Sequence, residues 1–263
     1  VELVTPLWPL LSPGAFRVLE LDELESRRDV EYTKIELASV SDFERSTLRA
    51  KKILEKRWIP AFDLDAIDSL FELEKVERAF ADQSLTNLAV WHNVVPGEPG
   101  EPRSPARRAG PSIFFVGHLG YPPNQDGLIW FLEEVFPLIR SQNEEIRCTV
   151  AGLYCPPNFE AKLTQSGINF VGAQRDLRPF YEAASMAIVP LRIGTGTRVK
   201  ILEAFSFGCP VVSTAKGAEG LDVYLDVEVL SVDSAEDDDE ACLALADDPL
   251  VQDSLCRAGF ALL

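Results

Sequence analysis

Two cations, Arg198 and Lys200, open an apparent helix in the stretch GTGTRVKILEAFSFGCPVV, residues 194–212, and Glu203 follows one turn later. A helix N-terminus already carries free N–H groups and a partial positive charge, so each added cation costs roughly 0.3–1 kcal/mol unless an anion arrives. Gly194 and Gly196 allow close backbone approach to a ligand, Thr195 and Thr197 offer hydroxyls, and Thr197 is the expected N-cap. A diphosphate would turn the two unfavourable cations into favourable ones. Lys200 and Glu203, three residues apart, share one helix face, while Ile201, Leu202 and Phe205 point to the core. That spacing suits an ion pair worth about 0.2–0.5 kcal/mol. It suits equally a division of labour in which Lys200 meets a phosphate and Glu203 accepts from both hydroxyls of a ribose.

Such residues need strand ends to hold them. From residue 112 onward, short apolar runs alternate with helical stretches: SIFFVG, a helix over 125–142, RCTVAG, a helix over 157–166, INFVG, a helix over 176–185, MAIVP, a helix over 198–208, PVVST, then VEVLSV and acidic helices. Continuous apolar strands separated by helices predict a parallel, doubly wound sheet covered on both faces. Ligands of such sheets bind beyond the carboxyl ends of the strands. Three loops fall there: GHLGYPPN (117–124), GAQRD (172–176) and LRIGTGT (191–197).

The earlier part is less regular. FRVLEL, AFDLDAI and LAVWHNV read as strands, with helices over about 41–58 and 69–82. Between the two parts, PGEPGEPRSPARRAGP (96–111) holds five prolines and three glycines, a composition that builds no packed element. The expected organisation is therefore a first domain over 1–96, a linker over 97–110 and a second domain over 111–263.

Composition narrows the classes. With 263 residues, 46% hydrophobic and 25% charged, the chain has the make-up of a soluble globular protein. LVTPLWPLL near the start is too short and proline-broken for a membrane span, and a cytoplasmic setting is expected. Five widely spaced cysteines without a C-x-x-C pair read as reduced thiols, and two histidines, His92 and His118, are too few for a histidine-rich metal site. A formal charge of −17 argues against nucleic acid as partner, though not against a small phosphorylated ligand held by a local pair of cations. EDDDE (236–240) reads as a solvated helix start. DLD (63–65) matches a three-residue metal motif too common to carry weight, and GHLGYPPN lacks the G-x-G-x-x-G of a nicotinamide site.

The segments FVGHLGYPPNQDGLIWFLEEVFPLI, VAGLYCPPNF, GINFVGAQRDLRPFYEAASMAIVPL and GTGTRVKILEAFSFGCPVVSTAKGAEGL, spanning Phe115–Leu221, resemble the nucleotide-sugar-binding half of family 4 (group 1) glycosyltransferases. The resemblance implies an α/β protein of the GT-B type: two Rossmann-like domains, the second complete here, the first partial, with the chain expected to be a piece at both ends. Carried over position by position, it gives Glu203 the donor ribose, as the second glutamate of the family's E-x7-E motif. Arg198, Lys200, Gly196, Thr197, Gly117 and His118 fall to the diphosphate, and Gly194, Thr195 and Asp176 to the donor-sugar and base region. The first glutamate of E-x7-E is replaced by Thr195. Asp22 is a candidate for positioning the acceptor; no catalytic residue is assigned.

The implied reaction moves a sugar from a UDP- or GDP-sugar to a hydroxyl of a carbohydrate or lipid-linked acceptor. Retention at the anomeric carbon is expected, with no metal and no cofactor beyond the donor itself, and with peripheral association at the inner membrane face. The alternative is a non-catalytic sugar-nucleotide-binding module or an inactive fragment.

Overall fold

Short apolar runs do become strands. In a computed structural model, which describes residues 14–21, 24–28, 42–83, 85–93, 110–232 and 234–263, every strand pairing is parallel. The chain divides into two compact units, Val1–Val94 with Gly194–Thr197, and Val95–Ile193 with Arg198–Leu263. The expected linker lies, apart from Gly110, outside the described residues, as does Asp22.

In the first unit, β1 (Val18–Leu21), β2 (Leu64–Ile67) and β3 (Leu88–Val90) form a sheet in the order β1-β2-β3. Helices α1 (Asp42–Trp58) and α2 (Leu70–Ala79) accompany it. Ser69 caps α2 by accepting from the Glu72 N–H at 3.2 Å, which satisfies one of the donors a helix start leaves open. Leu21, Leu24, Ile59, Ile67, Val76 and Phe80 make the core.

Among the described residues of the second unit are six strands, β4 (Ser112–His118), β5 (Arg147–Leu153), β6 (Asn169–Gly172), β7 (Met186–Val189), β8 (Val211–Ser213) and β9 (Val229–Ser231), in the order β6-β5-β4-β7-β8-β9. Side chains alternate between faces along a strand, and here both faces are apolar. Ile113 and Phe115 of β4 and Met186 and Ile188 of β7 join one buried cluster, while Phe114, Ala187 and Val189 join the other.

The first of these clusters includes Leu128 of α3 (Pro122–Trp130), Phe136 and Ile139 of α4 (Phe136–Gln142) and Cys242 and Leu245 of α9 (Ala235–Asp247). The second includes Tyr181 of α6 (Arg178–Ala183), Ile201, Ala204 and Phe205 of α7 (Val199–Ser206) and Ala218 of α8 (Ala215–Ala218). The remaining helices are α5 (Pro157–Gln165) and α10 (Pro249–Phe260).

Two details depart from the expected helix over 125–142. It begins three residues earlier, with Pro122 in its first turn, where the missing N–H of proline is harmless. Between α3 and α4, Phe131–Val135 is wound as a π-helix, and this wider turn brings Phe131, Val135 and Phe136 into the same core.

Candidate functional site

The strand order reverses between β4 and β7: from β4 the chain proceeds outward through β5 to β6, then returns to β7 and proceeds outward the other way. A crevice opens beyond the carboxyl ends of two such strands, where the crossing loops part to opposite faces. Gly117 and His118 end β4, and the 191–197 loop leaves β7 to start α7.

Lys200 reaches the β4 side of this crevice. Its Nζ donates to Asn124 Oδ1 at 2.8 Å and lies 4.6 Å from the centre of the Phe115 ring. Asn124, itself 6% exposed, donates from Nδ2 to the His118 carbonyl at 3.0 Å. A Cβ built on Gly117 would stand 2.9 Å from Asn124 Nδ2 and 3.1 Å from Lys200 Nζ, so the bare backbone is what admits the amine there. Burial pushes the Lys200 ammonium down to about 7; the neighbouring Arg198 guanidinium lowers it further and Glu203 opposes both.

Arg198, 6% exposed, occupies the N-cap of α7 and makes no side-chain capping bond. The expected cap at Thr197 is therefore one residue early. Thr197 instead lies in the loop before the helix, where its N–H donates to Asp68 Oδ2 at 3.2 Å. Two buried like charges at a helix start are an arrangement suited to an anionic ligand.

Glu203 sits one turn on, half-buried, and accepts from the Tyr181 hydroxyl at 3.0 Å. Burial raises its carboxyl above the usual carboxylate range, while the Tyr181 hydrogen bond and the Lys200 charge pull it back. Tyr181 is pinned between Phe114, edge to face at 4.9 Å, and Phe207, stacked at 5.5 Å.

The other expected residues are placed as follows. Gly194 and Gly196 take φ of 117° and 79°, conformations that a side chain would strain, which accounts for glycine at both positions of the loop. Thr195 is 8% exposed. These three and Thr197 cluster with the first unit, whereas Arg198, Lys200, Glu203, Gly117 and His118 belong to the second. The His118 ring is exposed and lies 4.9 Å from that of Tyr154, rather than joining the Lys200 hydrogen bonds. Asp176 is exposed; its Oδ1 accepts from the Arg178 N–H at 3.0 Å at the entrance to α6, a turn-forming role, and no hydrogen bond of the Lys200 or Glu203 group involves it.

Of the DLD motif, Asp63 is paired with Arg17 at 2.9 Å and Asp65 is fully buried in β2. Among the described residues no group of three His, Cys, Asp or Glu side chains is gathered as metal ligands would be, and no helix is long and apolar enough to cross a membrane. All five cysteines are free thiols.

Asn124, Phe115 and Tyr181 were not among the expected site residues. Asn124 stands in the YPPN run, which carried a signal in its proline-opened helix. Tyr181 and Phe115 look like ordinary core positions in an apolar pattern, and only tertiary packing reveals their polar neighbours.

Residues 110–248, more than half of the chain, match the family model described as "Glycosyl transferases group 1". The chain belongs to that family. A curated relative of this group 1 chain, an "Uncharacterized 44.6 kDa protein in cps region" of Klebsiella pneumoniae, is 32% identical over 118 residues, covering 41% of this chain and 30% of the relative. The matched part is thus under a third of that protein's length.

Among solved structures, WaaG, "a glycosyltransferase involved in lipopolysaccharide biosynthesis", superposes with a TM-score of 0.71 at 14% identity, over 98% of this chain and 75% of WaaG. Sucrose-phosphate synthase from Thermosynechococcus elongatus gives 0.69 at 18% identity, over 97% and 65%. HepE of Anabaena, solved with UDP and glucose, gives 0.59 at 16% identity, over 93% and 65%. At these identities the likeness establishes the fold: the group 1 chain is an α/β protein of the GT-B type.

Proposed function

We propose that this group 1 chain binds a UDP- or GDP-linked sugar and transfers the glycosyl group to a hydroxyl of a carbohydrate or lipid-linked acceptor, with retention at the anomeric carbon and without a metal. The observation that carries the reading is the pair of buried cations, Arg198 and Lys200, at the start of α7 beside the carboxyl end of β4. Family membership supports the reaction class, and HepE, solved with UDP and glucose, supports a nucleotide-sugar donor.

In transfer, the bond between the anomeric carbon and the diphosphate oxygen breaks with its electron pair going to the diphosphate. The acceptor oxygen forms the new bond from the same face that the diphosphate leaves, and its proton passes to the departing diphosphate oxygen. Charge accumulates on the leaving diphosphate, and Arg198, Lys200 and the first-turn N–H groups of α7 are arranged to stabilise it, in surroundings where partial burial strengthens each interaction. Glu203 accepts from the ribose hydroxyls. Gly117 lets the phosphates approach the end of β4, with Gly196 and Thr197 adding loop backbone and His118 an exposed ring. Gly194, Thr195 and Asp176 are assigned to the donor-sugar and base region, Asp176 more weakly because its carboxylate already serves the turn into α6.

The cps-region relative and WaaG support a polysaccharide or lipid-linked acceptor of the cell envelope. Reduced thiols suit a cytoplasmic setting, and a lipid-linked acceptor would bring the enzyme to the inner membrane face. A second reading, a module that binds the donor without transferring it, is favoured by one observation: Thr195 stands where the family motif has its first glutamate.

Calorimetry of UDP and GDP binding tests the site, and a transfer assay with labelled UDP- and GDP-sugars tests the reaction. Lys200→Ala is expected to weaken the nucleoside diphosphate by about 1.5–3 kcal/mol, the scale of a charge-assisted hydrogen bond. Unchanged affinity in that variant would remove the diphosphate assignment. Donor binding with no transfer to any acceptor would favour the module.

A further inference from the structure

We propose that Tyr181 is a positioning residue for donor recognition, fixing the Glu203 carboxylate so that it can accept from the two ribose hydroxyls of the nucleoside diphosphate. The proposal rests on the donor reading of Glu203 given above.

Three observations carry it. The Tyr181 hydroxyl lies 3.0 Å from Glu203 Oε2 and 3.4 Å from the Lys200 carbonyl; it has one proton, and the shorter, charge-assisted contact to the carboxylate takes it. Tyr181 is 1% exposed and held from two sides by the Phe114 and Phe207 rings, so its hydroxyl is a fixed point rather than a swinging donor. Glu203, by contrast, is half-buried on the first turns of α7, where a glutamate has three side-chain torsions to set. One bond to a rigid phenol removes that freedom at a single oxygen and leaves lone pairs on both oxygens for ligand hydroxyls. Among the described residues no other side chain donates a hydrogen bond to this carboxylate.

Tyr181 is itself too buried to touch a ligand, so its effect must pass through Glu203. A structural tyrosine would change stability. A positioning tyrosine changes how well the protein tells ribose from deoxyribose, and that ratio is the deciding readout.

The experiment measures affinity for UDP and GDP and for their 2′-deoxy forms, by calorimetry, in the wild-type chain and in Tyr181→Phe, Tyr181→Met and Glu203→Gln, with thermal midpoints recorded alongside. The wild type is expected to prefer the ribo form by about tenfold or more, the lower end for a hydrogen bond to a charged group. Tyr181→Phe, which keeps the ring and removes one oxygen, is expected to cut that preference to roughly threefold or less while leaving the deoxy affinity in place. Tyr181→Met serves the same purpose if the phenylalanine variant does not fold. Without the phenolic donor, the Glu203 carboxyl should rise further, so the acid side of the ribo-form binding curve should move to higher pH.

A wild-type preference kept in the Tyr181 variants while Glu203→Gln loses it overturns the proposal and leaves the donor reading standing. A preference untouched in all three variants, or absent from the wild type, overturns both. A thermal shift with an unchanged preference assigns Tyr181 to the fold alone and likewise overturns the proposal.

Discussion

Buried carboxyls meet donors in both units, as Glu228 and Asp239 of the second show, but among the described residues only the second gathers two buried cations at one helix start. In the first, Glu55 accepts from the Ser26 N–H at 2.9 Å and its hydroxyl at 2.6 Å, Glu72 pairs with Lys75 at 2.6 Å, and Asp65 takes a hydrogen bond from Asn87 at 3.3 Å. Each carboxyl meets a donor from its own unit. In the second, Arg198 and Lys200 are brought close enough for one to lower the other's affinity for a proton.

Sheet order accounts for the contrast. The described strands of the first unit run β1-β2-β3 without a reversal, whereas the second reverses between β4 and β7 and opens a crevice there. Charge neutralised within the fold serves structure. On the donor reading proposed above, an anionic ligand would add its charge to what Glu203 already supplies beside Arg198 and Lys200.

The largest expected effect tests the crevice itself. Gly127 of α3 lies against the backbone of Pro190, just beyond β7; an added Cβ would meet the Pro190 carbonyl oxygen and would lie 2.9 Å from its carbon and 3.3 Å from Leu191 Cα. Those are backbone atoms of the strand end and cannot swing aside. Gly127→Ala should destabilise the second unit by about 3 kcal/mol, the upper range for overpacking, measured by denaturant titration. Gly117→Ala meets only the ends of Asn124 and Lys200. It should spare stability and weaken diphosphate binding, so the two alanines separate the scaffold from the site.

Next in size is Asp65, which tests whether the first unit's carboxyls are structural. Asp65 is fully buried in β2, and burial pushes its carboxyl up to about 7. An unfolded aspartate titrates near 3.9, so between about pH 4 and pH 7 the folded chain holds a proton that the unfolded chain has released. Stability from this group is therefore complete below about pH 4, declines as pH rises through that window and is flat above it. Asp65→Asn, which cannot ionise, should abolish that decline. At pH 8 it should exceed the wild type by about 2 kcal/mol, a discounted share of the full shift. Equal pH profiles for the two would mean that Asp65 is neutral-insensitive and that the contrast between the units is one of packing alone.

Much of this was legible beforehand, for a physical reason. Strands covered on both faces must be continuously apolar, so SIFFVG, RCTVAG and MAIVP announced β4, β5 and β7 to within a residue. The same logic brought Gly117 and Lys200 to one strand end. Their partners were hidden. Tyr181 lies in an apolar helix face, where nothing local distinguishes a core tyrosine from one whose hydroxyl reaches a carboxylate on another helix, 22 residues further along the chain. Asn124 is polar but buried, and its two bonds, to the His118 carbonyl and to Lys200, depend on the turn that Pro122 begins and on a helix 76 residues away in sequence. The cap of α7 was misplaced at Thr197 because a threonine before a helix signals a cap only when its hydroxyl can turn back to the helix, and here Arg198 takes that position.

The smallest expected effect draws the two units into one measurement. Asp65 and Lys200 both titrate near 7, one as an acid raised by burial and the other as a base lowered by it. Raising the pH through neutrality charges the first and discharges the second. Loss of the Lys200 charge removes an attraction for an anion, so affinity for a nucleoside diphosphate should fall as pH rises from about 7, by up to about tenfold per unit where protonation and binding are fully linked. The bound anion raises the Lys200 proton affinity in turn, and binding should take up protons, visible as a dependence of the calorimetric heat on buffer ionisation enthalpy. Lys200→Arg, whose guanidinium stays charged, should flatten the pH dependence, and Asp65→Asn should leave it intact. A fall in affinity that persists in Lys200→Arg but vanishes in Asp65→Asn would transfer the effect from the cations of the crevice to the stability of the first sheet.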